Sequence, residues 1–217
     1  MTISTYQNLF FLLIFSLVAC EPAKKIGISS RGVEIVESVE LPKSFSLTIE
    51  EKVLAWGTDF NIVEGENILG KIDEKILSWG ATFNFSDNHA RPYGSTKSEV
   101  FSWGSKAHVY DAKGNEIGLI QEEILKSLFK VATEYTITSS SGRVLSVSKK
   151  MELLSTEVLL YDSSETQVIA KLYRPAFNLV GDKWQLDVYD SSKIDLRFLL
   201  AICAHKTYVD NARSSSD

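Results

Sequence analysis

Alternating large and polar residues dominate the middle of the chain and predict strands. Trp56, Phe60 and Ile62 fall on one face of the segment 56–62, and Asp59 and Asn61 fall on the other. The stretch "WGATFNFSD", residues 79–87, repeats this order. A period of two residues is typical of a strand that buries one of its faces.

Three Trp-Gly pairs, separated by 23 and 24 residues, mark a repeat in this region: Trp56-Gly57, Trp79-Gly80 and Trp103-Gly104. Turn-forming residues recur at 64–67, 111–115 and 139–142, and each turn precedes a short apolar strand, "ILGKI", "EIGLI" or "VLSVS". Hairpin turns need such small residues or residues that tolerate a positive φ. The sequence therefore predicts a repeated unit of strand, turn and strand.

The later part of the chain continues the strand pattern. Residues 157–175, "EVLLYDSSETQVIAKLYRP", predict another hairpin, and "WQLDVYD" predicts a strand with Trp184, Leu186 and Val188 on one side. These segments bring the expected total to roughly ten to twelve strands. An antiparallel sheet of that size must close or stack to remove its edges.

One segment inside the strand region has helical spacing. In "IQEEILKSLFK", residues 120–130, Ile120, Ile124 and Leu128 recur every four residues with charged residues between them. This spacing predicts a short connecting helix of about one or two turns.

The most continuously apolar run after the N-terminal region is "KIDLRFLLAICAHKTYVDN", residues 193–211. Asp195 is placed to cap a helix, and the strictly apolar part, 198–204, is far shorter than the about 20 residues that a membrane span needs. Because this helix is apolar around its whole circumference, it cannot lie on a surface. We expect it to be buried on all sides by a sheet that curls around it.

The N-terminal segment predicts secretion and lipid attachment. Residues 1–19 contain a short apolar region and end in Leu17-Val18-Ala19 before Cys20, which looks like the lipobox of a bacterial lipoprotein signal peptide. Acylation (diacylglyceryl and palmitate) at Cys20 would anchor the protein in the cell envelope, on the extracytoplasmic side of a membrane. Met1 to Asn8 lacks the usual basic residue, and an ordinary cleaved peptide is the alternative. Residues 20–32 then form a tether, and 33–217 the domain.

Composition and charge exclude several function classes. The chain has 217 residues, of which 44% are hydrophobic, and a net charge of -5, so it has a core to bury and no basic excess for nucleic acid. If Cys20 is acylated, Cys203 is the remaining thiol and an internal disulfide is excluded. His89, His108 and His205 lack metal-site spacing, and no catalytic motif is present. We therefore expect no metal, no cofactor and no catalytic residue.

The chain resembles the tubby C-terminal-like superfamily, in particular its LURP-one-related branch, which neighbours the phospholipid scramblases. The resemblance covers about residues 45–211 and lies in the repeated strand pairs, in "KLYRP" around Arg174 and Pro175, in "WQLDV", and in the C-terminal run from Asp195. It implies a mainly β fold: a closed antiparallel β-barrel of about twelve strands around a hydrophobic C-terminal central helix.

Basic residues beside two strands are the candidate binding site. They flank "VLSVS" and "KLYRP", and they are Arg143, Lys149, Lys150, Lys171 and Arg174. Such a cluster suits a lipid headgroup or another anion, although ordinary solvated charges are the alternative. We expect a monomeric, non-enzymatic module that holds a lipid or protein partner at the membrane. The scramblase resemblance gives a second hypothesis, phospholipid transfer or scrambling.

Overall fold

The structure is a computed structural model that describes residues 42–52, 57–75, 80–101, 104–126, 131–149, 151–152, 157–174 and 182–214. All of them belong to the unit Glu40–Asp217. The predicted signal peptide, Cys20, the tether and the expected start of the domain at residue 33 lie outside the described residues. The same holds for Trp56, Trp79, Trp103 and Lys150.

The described chain forms thirteen strands and one C-terminal helix. In chain order they are β1 (Phe45–Glu51), β2 (Phe60–Glu64), β3 (Asn67–Glu74), β4 (Thr82–Asp87), β5 (Pro92–Phe101), β6 (Gly104–Asp111), β7 (Glu116–Lys126), β8 (Val131–Ser139), β9 (Val144–Ser148), β10 (Met151–Glu152), β11 (Glu157–Asp162), β12 (Val168–Tyr173), β13 (Lys183–Val188) and α1 (Leu196–Ser214).

Twelve of these strands close into an antiparallel barrel. The strands from β1 to β8 follow one another around the wall, and β1 pairs with β13, which continues through β12 and β11 to β9. The pairing of β8 with β9 closes the ring, while β10 adds a two-residue extension beside β8. The predicted mainly β class and the closed barrel of about twelve strands are confirmed.

The helix α1 fills the barrel, as the C-terminal apolar run predicts. Its residues 198–204 are buried almost completely, and the inward residues of β13, Trp184, Leu186 and Val188, belong to the same core. Asp195 caps the helix because its Oδ1 accepts the backbone N–H of Arg197 at 2.9 Å. Burial on all sides explains why no polar face is needed.

The predicted connecting helix at 120–130 is wrong. Residues 120–126 belong to β7, where Ile120 is buried and Ile124 pairs with Thr133, while Leu128 lies outside the described residues. A spacing of four residues places side chains on one face of a strand as well as on one face of a helix. Ile120 and Ile124 therefore could not distinguish the two periods.

A β-bulge recurs in five hairpins and explains the sequence repeat. In each hairpin the second strand carries one extra residue followed by a small one, and the pairs are Leu69-Gly70, Tyr93-Gly94, Ile117-Gly118, Leu145-Ser146 and Ile169-Ala170. A Cβ on Gly118 would lie 2.1 Å from the carbonyl oxygen of Thr138 and 2.9 Å from the Phe198 ring. The small residues therefore let the wall bend close to the first turn of α1.

The two ends of the barrel are built differently. The turns of these five hairpins lie at one end, here named the hairpin end. The described chain also begins there, because the Ser191 hydroxyl donates to the carbonyl of Pro42 at 2.9 Å before α1 enters the barrel. The opposite end, here named the far end, receives the last turns of α1 beside Arg174 and Asp182.

Candidate functional site

Arg174, one of the five predicted anion-binding residues, is a structural residue of the far end. Its guanidinium donates to Asp182 at 2.5 Å and to Asp210 of α1 at 2.6 Å, and it lies 5.0 Å above the ring of Trp184. Burial opposes the charged form, but Asp210 and Asp182 raise the pKa of Arg174 above its usual value. Two carboxylates therefore already neutralise the positive charge of Arg174, so little of that charge is left to bind an anionic ligand.

Lys171 is also paired with a carboxylate, on the outer face of the barrel. Its Nζ lies 2.6 Å from Glu157 on the neighbouring strand β11 and 5.8 Å from the centre of the Tyr173 ring. The hydrogen bond to Glu157 raises the pKa of Lys171, against the opposing effect of desolvation. An anion at Lys171 would have to compete with Glu157.

Lys149 and Arg143 bracket strand β9 and have no carboxylate within ion-pair distance among the described residues. Lys149 is exposed, and its Nζ lies 4.3 Å from the centre of the Tyr161 ring. Arg143 is exposed in the turn before β9, where its backbone N–H donates to the Ser139 hydroxyl at 3.2 Å. Lys150, the fifth predicted residue, lies outside the described residues.

An open cleft lies beside Lys149 on the outer wall of the barrel. It has a volume of about 520 Å³, and Glu134, Thr136, Val147 and Glu165 line it together with Lys149 and Ser148. The lining therefore combines one cation with two carboxylates around an apolar side chain. This arrangement offers contacts to both charges of a zwitterionic group rather than to an anion alone.

A polar network inside the far end was not predicted from the sequence. The Thr207 hydroxyl donates to Asp182 at 3.0 Å and accepts the indole N–H of Trp184 at 2.9 Å. Asp182 in turn connects to β1, because its backbone N–H donates to Glu51 at 2.7 Å. The network joins α1 to two strands that are far apart in the chain, so a local pattern could not reveal it.

A small cavity of about 30 Å³ separates α1 from strands β6 to β8. Its lining includes Glu122, Tyr135, His205 and Lys206, and the Tyr135 hydroxyl donates to Glu122 at 3.2 Å. Burial, followed by the charge of Glu122, raises the pKa of Tyr135 well above its usual value. The volume is sufficient for about two water molecules.

Two reactive residue types of α1 are held in unreactive forms. Cys203 is completely buried, and burial raises the pKa of its thiol. His205 contacts the Thr96 hydroxyl at 3.0 Å through Nε2, and burial lowers the pKa of His205 to about 3. His205 is therefore neutral at physiological pH, and neither group has the exposure that a nucleophile or a general base requires.

The part of the chain that the structure describes contains no group of three or more His, Cys, Asp or Glu side chains placed to hold a metal ion. None of its helices is both long enough and apolar enough to cross a bilayer.

Comparison with known proteins gives the family. The family model described as LURP-one-related matches residues 45–205, which include the barrel strands and the first half of α1. The chain belongs to the LURP-one-related family. Membership indicates a lipid-binding or related role, and proteins of this family are generally not catalysts. The resemblance expected from the strand pairs and the C-terminal run is confirmed.

A solved structure shows that the LURP-one-related fold is shared. The X-ray structure of a protein from Arabidopsis thaliana matches with a TM-score of 0.50 and 14% sequence identity, over 78% of this chain and 93% of the other. At that identity the likeness establishes the tubby-like fold alone. No curated protein matches the sequence significantly.

Proposed function

We propose that this LURP-one-related protein is a lipid-anchored, non-enzymatic binding module at a bacterial membrane surface. The cleft beside Lys149 holds its lipid or protein partner. The observation that carries the proposal is the solid interior of the barrel: α1 occupies the space inside the wall, and the cavity next to it holds only about two waters. Among the described residues, the space beside α1 at this cavity suits water, which favours a site on the outer surface for a larger ligand.

The cleft beside Lys149 is the outer site that the geometry favours. Lys149 is one of the predicted cations, and among the described residues no carboxylate lies within ion-pair distance of its Nζ. Glu134 and Glu165 supply the opposite charge on the same lining. A headgroup that carries both an ammonium and a phosphate, or a protein segment with both charges, fits this arrangement.

The second hypothesis, phospholipid transfer or scrambling, has less support. Carrying a lipid through the barrel would require space for an acyl chain, and α1 takes that space with residues 198–204. A scrambling protein must also move labelled lipid between leaflets, whereas a module only binds. A dye-quenching assay with labelled lipid in vesicles that contain the purified full chain should show no scrambling above that of protein-free vesicles.

Photo-crosslinking in living cells tests the binding site. A photoreactive amino acid at Val147, which lines the cleft, should capture a lipid or a protein after irradiation, and mass spectrometry should identify the adduct. The same amino acid at Lys113, exposed in the turn after β6, is the matched control. Lys149→Ala should reduce capture at position 147. Equal capture at positions 147 and 113 would contradict a site in the cleft.

Mass spectrometry of the mature N-terminus tests the anchor separately. We expect Cys20 to be the first residue and to carry two or three acyl chains, which together hold a protein stably in a membrane. An unmodified chain that begins after Cys20, or a chain that retains Met1, would remove the anchor from the proposal while leaving the cleft open to test.

A further inference from the structure

One bulge at the hairpin end departs from the other four. In those four hairpins the extra residue packs on the core: Tyr93, Ile117 and Leu145 are partly buried against it, and Ile169 is fully buried. In the β2–β3 hairpin the extra residue is Leu69, which remains 39% exposed. Ile68, the residue before it, is 49% exposed. The fold therefore accounts for four apolar bulge residues and leaves this pair without a packing role.

Tyr189 is another exposed apolar residue at the hairpin end, just after a strand close to β3. It follows β13 and is 46% exposed, and the wall runs from β13 through β1 and β2 to β3. Three strand spacings separate the two sites, or about 14 Å. Ile68, Leu69 and Tyr189, here named the rim patch, are three of the five large exposed hydrophobic residues among those described.

The chain that leads from Cys20 enters the barrel at β1, between the strands that carry the rim patch. Strand β1 lies between β13 and β2, and the residues just before it are fixed at the hairpin end, where the Ser191 backbone N–H donates to the carbonyl of Lys43 at 2.9 Å. Only 21 residues separate Cys20 from Pro42, which limits their reach to about 75 Å. An anchor at Cys20 therefore keeps this side of the hairpin end near the bilayer at high effective concentration.

We propose that the rim patch inserts into the interfacial layer of the membrane that holds Cys20 and so orients the barrel. The inference rests on the proposed lipid anchor. Aliphatic side chains favour the acyl boundary and a tyrosine ring favours the headgroup level, so the three side chains suit this layer. Glu64 ends β2 and Glu66 lies in the turn, and both carboxylates repel anionic lipids, so the proposed contact relies on apolar insertion and not on charge attraction.

This orientation leaves the cleft beside Lys149 accessible. The cleft is lined by β8, β9 and Glu165 of the β11–β12 turn, and β9 lies six strands from β3 around the twelve-stranded ring, on the opposite side of the wall. With the rim patch in the lipid layer, a partner can approach the cleft from the aqueous side. The apolar contact should also persist at high salt, because screening weakens charge attraction and not apolar insertion.

Depth measurements on two labelled positions test the orientation. Leu69→Cys and Val144→Cys provide matched sites, because both residues are 39% exposed at the hairpin end and lie on opposite sides of the ring. The buried Cys203 should not react with the label. We expect a spin label at position 69 on the full acylated chain to become accessible to oxygen and protected from a water-soluble nickel complex in phosphatidylethanolamine–phosphatidylglycerol vesicles. The label at position 144 should remain in water.

A second variant supplies an independent readout. A label at Tyr189→Cys should report the same insertion, and Ile68→Ser combined with Leu69→Ser should abolish the shift at position 189 while Val144→Ser leaves it intact. Raising the salt concentration should not reduce the shift in the wild-type background. Labels at 69 and 189 that both stay in water, on a chain that carries acylated Cys20, overturn the inference and leave the anchor standing.

The remaining outcomes also decide the question. If mass spectrometry finds Cys20 unmodified, the proposed lipid anchor is wrong. If the spin labels of that protein also stay in water at saturating vesicle concentration, the proposed insertion of the rim patch is wrong as well. A label at 69 that enters an apolar environment without vesicles also overturns it. A doubled sedimenting mass would then identify a second copy as the occupant, and an unchanged mass would identify the protein's own N-terminal segment.

Discussion

The two ends of the barrel are stabilised over different distances along the chain. At the hairpin end the β4–β5 and β6–β7 turns are held by the last residue of their own first strand: Asp87 accepts the N–H groups of His89 and Arg91, and Asp111 accepts those of Lys113 and Asn115. The bonds of Ser191 to Pro42 and of Lys193 to Asp162 add long-range contacts there. At the far end the bonds join distant segments, such as Arg174 to Asp210, 36 residues apart. Local contacts can form hairpin by hairpin, whereas the far end requires that α1 has entered the barrel.

Arginine residues at the two ends of the barrel differ in how much they contribute to stability. Arg91 pairs with Asp87 at 2.6 Å, but its side chain is 53% exposed, so the pair contributes little. Arg174 makes ion pairs of similar length with a side chain that is only 16% exposed. The far end therefore depends on satisfied charge inside the protein, and the hairpin end depends on backbone geometry and apolar bulge residues.

The largest effect should come from α1, which connects both ends. Leu199→Asp places a carboxylate in a fully buried position and should prevent cooperative folding of the domain. Leu199→Ala and Ile202→Ala should each cost about 2 to 5 kcal/mol. Denaturant unfolding of the full chain measures both losses. A loss below about 0.5 kcal/mol for both alanine variants would contradict burial of the helix.

Breaking the far-end network should have the next largest effect. Arg174→Met removes the cation paired with Asp182 and one of the two cations near Asp210, which keeps Lys206 at 3.4 Å, and should cost about 3 kcal/mol. Arg91→Met, the matched change at the hairpin end, should cost about 0.5 kcal/mol. Adding Asp182→Asn to Arg174→Met should recover part of the loss, because it removes the carboxylate whose ion pair with Arg174 is broken. Similar unfolding midpoints for the two methionine variants would show that the ends do not differ in this way.

The sequence predicts the hairpin end better than the far end, because its patterns report local contacts and not contacts between distant segments. Alternation between Trp79 and Phe85 and the apolar run 198–204 are local patterns, so strands, hairpins and the central helix follow from them. The bulges escaped prediction because one extra residue interrupts the alternation for only a few residues, which a strand of five or six residues does not distinguish from irregular burial. The helix at 120–130 was wrong because a spacing of four fits both periods. The pairing of Arg174 with Asp210 depends on the closed barrel and has no local signal.

Backbone crowding at the hairpin end should give the third effect. Gly118→Ala places a Cβ 2.1 Å from a main-chain carbonyl that cannot move away without disturbing β8, and overpacking of this kind costs about 1 to 3 kcal/mol. Gly114→Ala is the control, since no atom lies within 4 Å of its added Cβ and only its φ of +84° is unfavourable. We expect the Gly118 variant to unfold at lower denaturant concentration. The reverse order would contradict the explanation that backbone crowding at the bulge requires the small residue in the sequence repeat.

Acid should weaken the domain through His205. Its pKa is about 3 in the folded protein and near 6.5 when unfolded, so the unfolded state binds the proton first. The stability contributed by the neutral ring is complete above pH 6.5 and is lost as the pH falls toward 3, by about 2 kcal/mol at pH 5. His205→Gln should flatten the pH dependence of the unfolding free energy between pH 6.5 and 5. Equal slopes in the wild-type protein and in this variant would contradict this account.

The smallest effect should come from a single turn at the hairpin end. Asp162 accepts the N–H groups of Thr166 and Gln167 at 3.1 and 3.2 Å, and Lys193 donates to its other oxygen at 3.1 Å. Asp162→Ala removes these acceptors but leaves the paired strands β11 and β12 in place. Since the two turn bonds are local and the Lys193 side chain, 31 residues away, is 37% exposed, we expect faster hydrogen exchange at the Thr166 and Gln167 amides and little change in the global unfolding midpoint. Faster exchange at Asp182 or along the last turns of α1 would show that the ends are coupled, and the distinction between a locally built end and a cooperatively built one would then fail.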